Sequence, residues 1–481
     1  MSLVELPITN GFYESDSLPL SHQQCINWYP NIVQTQGLSQ ESLFGTPGIV
    51  QRTTTGSIAE INRNSHEKNG IPYFVNGTTL YSLDRTINPD LSETFTTTAL
   101  GTVAGSGRVS MVDNGTQLMI LVPGGNGYIF DENAGTPFQQ ITDADFTANG
   151  NPQVVVFVDG YFLATTDSKK WIISALNDGL AWNALDFGTA ESDPDVTVAP
   201  VVVNNQAMIT GSQTTEGFQN RPAGAGFPFI RSNIFLDKGC FAPFSLVNTS
   251  GTYMMIGGGE DETPAVWMFT GNNYQKISTT AIDNVLASAT DEEIDNAFAL
   301  SYAQKGAYFV VFTFGSRSFG YDTITGRWHE RSSHISGNDL AWRVNSIVTA
   351  YGRVWVGDSI DGRIGELSSE CFTEYGEEIR RVVSTQPFAN LGRSVKVPRI
   401  ELTMESGVGN SDRPDPKVSM EISDDGKKFK DQRIRSVGKI GEFDTRQIWL
   451  RNGRAPRFRV LRFRMSDPAK PVIMKLEALF A

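Results

Sequence analysis

Trp328-His329-Glu330-Arg331 is the run most suggestive of chemistry, because an imidazole beside a carboxylate can act as general acid and base. The residues leading into it favour another role. Tyr321-Asp322-Thr323-Ile324-Thr325-Gly326-Arg327-Trp328 reads as strand, turn, strand, so Trp328 and His329 pack a sheet edge and Glu330 is left to pair with Arg331. Asp424-Asp425-Gly426 matches a fragment of a calcium loop but lacks the remaining ligand positions. A β-turn explains it, with aspartate before a left-handed glycine. Gly257-Gly258-Gly259 and Gly124-Gly125-Asn126-Gly127 are not followed by Lys-Ser/Thr or by a helix, so they cannot cradle a phosphate and read as loops between strands. Asp193, Asp195, Glu260, Asp261 and Glu262 lie in polar loops; a glycosidase would need two carboxylates facing each other across a cleft. Cys25, Cys240 and Cys371 are odd in number and far apart, and with only His22, His66, His329 and His334 beside them no metal-ligand spacing appears. The expectation is therefore no catalytic site, no cofactor and no metal: not an enzyme.

The elements that would position these residues are strands. Ile71-Pro72-Tyr73-Phe74-Val75, then Asn76-Gly77, then Leu80-Tyr81-Ser82-Leu83 is a hairpin whose Asn-Gly supplies the positive φ of a two-residue turn. The same cadence returns at 117–131, 154–164, 252–269, 308–322 and 346–357. It recurs about every 40–50 residues, the period of a four-stranded propeller blade. Residues 51–370 are thus expected to form a six- or seven-bladed β-propeller in an all-β chain, with stacked sandwiches as the competing reading. One helical stretch, Ser278 to about Asn296, suits one short helix or two. Residues 1–50, punctuated by Pro7, Pro19, Pro30 and Pro47, read as an extended, irregular N-terminal arm. Trp28 and Tyr29 are too apolar to stay in water, so this arm is expected to pack on the body or on a neighbouring subunit.

After Leu367 the pattern changes. Strands such as Lys417–Ser423 and Arg457–Arg464 alternate clearly, and residues 371–481 read as a C-terminal β-sandwich or jelly-roll-like module. Arg457-Phe458-Arg459-Val460-Leu461-Arg462-Phe463-Arg464 is read with its arginines on one face and Leu461 out of step. The chain carries 40 Lys+Arg against 53 Asp+Glu, a net charge of −13, which argues against a clamp on nucleic acid. The acid excess lies mostly between residues 90 and 300, whereas 375–464 is rich in arginine. Such asymmetry can mark an electrostatic seam between subunits, with Arg457, Arg459 and Arg462 as candidate contacts. No apolar run is long enough to span a membrane, and Met1-Ser2-Leu3-Val4-Glu5 does not open a secretory leader.

Four stretches, in order, resemble the packaged-DNA stabilisation proteins, or tail hub (nozzle) proteins, of short-tailed bacteriophages. They are Asn27-Trp28-Tyr29-Pro30-Asn31 with Leu43-Phe44-Gly45-Thr46-Pro47-Gly48; Thr214-Thr215-Glu216 with Pro228-Phe229-Ile230-Arg231 and Gly239-Cys240; Gln275 to Ile282, leading through Tyr321-Asp322 to Trp328-His329-Glu330-Arg331; and Ser423-Asp424-Asp425-Gly426 with Gly453-Arg454, Phe458-Arg459 and Ser466-Asp467-Pro468. The sequence departs from that pattern at Gly211-Ser212-Gln213, where the family tends to place an aromatic. The resemblance implies a structural protein of the virion tail, folded in the host cytoplasm and assembled as a hexameric ring. Such a ring sits below the portal and adaptor, extends the DNA channel, retains packaged DNA, and carries tailspikes or fibres and a terminal plug. Double-stranded DNA would pass through without sequence-specific contact. The competing function is a carbohydrate-binding or glycan-degrading propeller, which a carboxylate pair in the central cleft would favour.

Overall fold

The computed structural model describes residues 3–32, 39–56, 59–190, 195–221, 226–249, 251–389 and 393–481. Seven antiparallel blades follow one another around an axis; the first four are separate four-stranded sheets, and the last three belong to sheets of five, eleven and six strands. The first blade is Asn62–Lys68, Ile71–Asn76, Thr79–Ile87 and Glu93–Thr102. The second runs from Ser110–Asp113 to Phe138–Gln140, the third from Pro152–Val158 to Asp178–Thr189, and the fourth from Thr197–Val203 to Phe229–Leu236. The fifth is built on Thr252–Gly258, and the sixth runs from Phe298–Gln304 to Arg327–Ile335. The seventh is Val344–Ala350, Arg353–Asp358 and Arg363–Ser368, and its fourth, outermost strand is Gly48–Thr54, donated from the N-terminal region. The innermost strand of the seventh blade, Val344–Ala350, lies against Asn62–Lys68 of the first, which closes the ring. The chain is a β-propeller followed by a β-sandwich, as its patterning predicts.

Tight turns close the hairpins where the residues allow it. Asp159-Gly160 and Tyr351-Gly352 both have positive φ at the two turn positions, which matches the right-handed twist of the strands they join. The helical stretch is two helices, Thr280–Ser288 capped by Thr279 and Asp291–Asp295 held by a Thr290/Glu293 capping box. They bury Ala281, Ile282, Leu286 and Ile294 in the core shared with the sandwich.

Among the first fifty residues, the described ones contribute strands to both domains in place of the expected irregular arm. One sandwich sheet has the order Gln447–Leu450, Arg399–Met404, Val472–Leu479, Glu41–Gly45, Trp28–Ile32, and Leu3–Leu6 also pairs with Val472–Leu479. The second sandwich sheet is an extension of the sixth blade. Its outer strand Arg327–Ile335 pairs with Cys25–Ile26, which pairs with Arg381–Ser384, then Phe458–Met465, Lys417–Ser423 and Lys430–Ser436. Propeller and sandwich therefore share one continuous eleven-stranded sheet. Ile400, Leu402, Met420, Trp449, Leu461, Phe463 and Leu476 fill the sandwich interior. The seventh blade's sheet also continues past residue 370, because Glu374 pairs with Ile49 and the hairpin runs to Glu378.

Candidate assembly surface

Alternation in a strand decides what the eye-catching residues can do. His329 and Glu330 are adjacent in Arg327–Ile335, so their side chains leave opposite faces of the sheet and cannot act on one substrate. His329 is fully buried beside Phe309 and Tyr29, and its ring covers Gly320 on the neighbouring strand, where a Cβ would lie 2.5 Å from it. Burial, reinforced by Arg331, lowers its pKa to about 3, so it is a neutral packing residue. Glu330 does not pair with Arg331 as its sequence neighbour. It takes a two-pronged contact from Arg317 at 3.0 and 2.7 Å, while Arg331, on the histidine's face, stacks on Trp342 at 4.0 Å and donates to the Tyr302 hydroxyl.

The other motifs are structural as well. Asp425 accepts from the amides of Lys427 and Lys428, both at 2.8 Å, and Gly426 has φ 73°, as the turn reading requires. Those hydrogen bonds hold its carboxyl low, at about 2. Gly257 belongs to a strand and is needed because a Cβ would meet the Gly239 carbonyl oxygen at 1.9 Å. Glu262 is engaged by Lys238 and by the amide of Gly259. Asp195 receives the amides of Gln213 and Thr214; Asp193 lies outside the described residues. All three cysteines are free thiols, and burial pushes Cys240 up to about 11. Among the described residues no group of three or more His, Cys, Asp and Glu could hold a metal, and no helix is long and apolar enough to cross a membrane.

The propeller axis holds a cavity of about 490 Å³ lined by Asn64, His66, Ser110, Val155, Val201 and Ala299, among others. No carboxylate lines it, so the pair that a glycan-degrading site would need is missing from this cleft. Arg108 occupies it from the second blade. Its guanidinium stacks on Phe298 of the sixth blade at 3.7 Å and donates to both the backbone carbonyl and the side-chain oxygen of Asn345 in the seventh. Burial alone lowers its pKa to about 9. Sequence reading missed this residue, which no motif marks.

The arginine-rich strand splits differently from its sequence reading. The register of Phe458–Met465 against Lys417–Ser423 has no bulge, so Arg462 and Arg464 share a face and Arg459 lies on the other, with Leu461 and Phe463. Leu461 is in step; it is the arginines that change sides. Arg459 is buried, ion-paired to Asp424 at 2.8 Å, and donates to the carbonyls of Asn452 at 2.5 Å and Arg454 at 3.0 Å. Arg462 pairs with Glu421 at 2.7 Å and stacks on Phe429 at 3.6 Å. Both are committed within the chain, and of the three candidate seam arginines only Arg457 is exposed and without an ion-pair partner among the described residues. Trp28 and Tyr29 are likewise taken up internally, at 1% and 7% exposure. Trp28 packs in the sandwich core, and Tyr29 sets its ring against Phe309 at 5.0 Å. Neither presents apolar surface to a neighbour.

A seven-bladed propeller joined to a β-sandwich through a shared sheet defines a class of large two-domain β-proteins. Two family models account for it in the same order: the β-propeller of bacteriophage P22 Gp10 matches residues 4–372, and the β-sandwich of bacteriophage P22 Gp10 matches residues 380–480. The chain belongs to that family. A relative, the tail hub protein gp10 of Salmonella phage P22, is 21% identical over 373 residues, covering 74% of this chain and 77% of its own length. Among solved structures, the WD40 β-propeller domain of Doa1 aligns with 66% of this chain and 97% of its own at 12% identity and a TM-score of 0.39. The computationally designed Ika8 protein aligns with 66% of this chain and 99% of its own at 11% identity and a TM-score of 0.37. The fold assignment rests on the sheet topology and the family models, to which neither alignment adds.

Proposed function

We propose that this chain is a structural subunit of a short-tailed phage tail, a hub or nozzle protein without enzymatic activity. The supporting observation is the match of both domains, in order, to a family whose relative in phage P22 is a tail hub protein. Copies assemble into a ring, hexameric by resemblance, that docks below the portal–adaptor ring, extends the DNA channel, retains packaged DNA, and supports tailspike or fibre attachment and a terminal plug. The protein folds in the host cytoplasm and resides in the virion tail. At a net charge of −13 the ring presents a net acidic lumen that repels phosphates, so DNA slides through it. Arg459 and Arg462 serve inside the sandwich; Arg457 remains the seam candidate.

The test is particle mass in solution, alone and with a purified portal–adaptor complex. A defined ring that adds to the complex is expected. A chain that stays monomeric in both conditions refutes the reading. His329→Ala is expected to affect folding or assembly only; loss of a measurable hydrolase activity in a folded His329→Ala protein would refute the structural role.

A further inference from the structure

A cluster of basic residues lies at one end of the first sandwich sheet, in a chain of net charge −13. Lys396 pairs with Arg454 across a short two-stranded ribbon, and the turn leading into it carries Arg451, with Arg457 just beyond. All four side chains are exposed, and none has an ion-pair partner among the described residues. The turn is rigidly built. Buried Arg459 donates to the carbonyls of Asn452 and Arg454, Arg433 donates to the Leu450 carbonyl at 3.1 Å and the Asn452 side chain at 2.6 Å, and the Asn452 amide donates to the Trp449 carbonyl. Arg451 is held at φ 57°, a conformation a long side chain rarely takes without support. A preorganised loop of unneutralised cations therefore stands out from a chain that is strongly acidic overall. Leu450, next to Arg451, is 58% exposed, so the patch is mixed cationic and apolar. That composition suits a protein contact, where arginine and apolar groups concentrate, better than a bare phosphate track.

We infer that this ribbon docks on the propeller of a second copy of the chain, on the acidic surface around the helix Asp291–Asp295. The inference rests on the ring reading above and names its contact. Asp291, Glu292 and Asp295 are exposed and have no ion-pair partner among the described residues, while Glu293 is spent on the capping box. No hydrogen bond or ion pair joins this helix to the ribbon within the described residues of one chain. The two patches differ in sign, sit on different domains, and are each left unpaired by their own chain. A contact between them is heterologous, the type that generates a ring when the rotation closes. It also relieves the repulsion between copies at −13 each, because each contact sets unneutralised cations against unneutralised carboxylates.

The test is charge reversal in the full chain, read by analytical ultracentrifugation and by docking to the portal–adaptor complex. Arg451→Glu, Arg454→Glu and Arg457→Glu together should weaken assembly at least tenfold. Asp291→Lys, Glu292→Lys and Asp295→Lys together should do the same. Both sets in one chain should restore it, and since every changed residue is exposed, circular dichroism should match the wild type, with a slightly lower melting temperature for the lysine set, which puts cations in the first turn of the helix. A ring that forms equally well in the wild type and in either reversed variant overturns this contact while leaving the ring reading intact. Loss in both single sets without rescue in the combined chain overturns the pairing. Intact assembly with lost binding of a short DNA duplex overturns it in favour of a phosphate surface. A wild-type chain that stays monomeric even with the portal–adaptor complex overturns the ring reading and this contact with it.

Discussion

Acidification should weaken this protein through His329 in particular, and His329→Phe should remove that part of the acid sensitivity. The folded-state pKa of about 3 lies well below the ordinary 6.5, because the ring is fully buried and faces the positive charge of Arg331. Between those two values the unfolded chain binds a proton at this position and the folded chain does not, so stability falls as pH drops from 6.5 towards 3. At about 1.4 kcal/mol per unit, moving from neutral pH to about pH 4.5 should cost about 3 kcal/mol at this one site. Phenylalanine keeps an aromatic ring against Tyr29, Phe309 and Gly320 but cannot take a proton. Whatever His329→Phe costs at neutral pH, the gap between variant and wild type should shift in the variant's favour by about 3 kcal/mol at about pH 4.5. Urea denaturation of both proteins at both pH values, followed by tryptophan fluorescence, measures the shift. Parallel losses in the two proteins would show that His329 is not held neutral and that its burial is not what the geometry indicates.

Asn27→Ala should loosen the joint between propeller and sandwich. The side chain donates to the carbonyls of Ser332 and Arg380 at 2.8 and 2.9 Å and accepts from the amide of Ser332, so about 2–3 kcal/mol should go with it, seen as faster proteolysis between the domains. Asp424→Ala leaves the Arg459 guanidinium buried without its counter-charge and should cost about 3 kcal/mol, lowering the melting temperature of the sandwich; an unchanged melt would show that the pair contributes little. Arg108→Ala removes the contact across the propeller axis with Phe298 and Asn345 and should cost about 2–4 kcal/mol, read as a lower melting temperature and faster amide exchange in the innermost strands of the second and seventh blades.

What the sequence disclosed was local. Each hairpin read from its pattern, such as 71–83 or 154–164, is a blade hairpin, because turn chemistry and period-two alternation sit within a few residues of each other. The turn lies at Asp159-Gly160 as read, but in 71–83 it falls one residue later than read: Asn76 pairs with Thr79 as a strand residue, so Gly77-Thr78 makes the turn, and of Asn76 and Gly77 only Gly77 has positive φ. The fourth blade's hairpin, Thr197–Val203 with Gln206–Gly211, stands out less in the sequence, although Asn204 and Asn205 both take positive φ. Asn-Asn is a weaker turn signal than Asn-Gly. The N-terminal strands could not be read in this way. Glu41–Gly45 and Gly48–Thr54 find their partners at Val472–Leu479 and Arg363–Ser368, hundreds of residues away, and a proline-punctuated segment gives no local sign of a strand whose partner is that distant. The arginine strand failed for a different reason. Its residue types suggested one charged face, but strict alternation separates Arg459 from Arg462, and an aspartate in the preceding hairpin pays for burying the first.

The shared sheet bears on how such a subunit could work. Two domains joined by a flexible linker can swing, whereas here Ile26 is paired on one side with Glu330 of the propeller and on the other with Val382 of the sandwich. Asn27, next to it, bonds to both flanks at once. The opposed sheet adds Trp28–Ile32 and Glu41–Gly45 from the same segment, which then leaves the sandwich as the closing strand of the seventh blade. Rotating one domain against the other would break backbone hydrogen bonds in the bridging sheet and expose the common core that Trp28, Ile282, Phe312 and Phe463 fill. Each large side chain stripped from that core costs about 1.5–3 kcal/mol, so several would make domain rotation a partial unfolding event. A chain built in this way transmits load as one body, and under the ring proposed above any gating of the channel would have to come from contacts between copies or from another component.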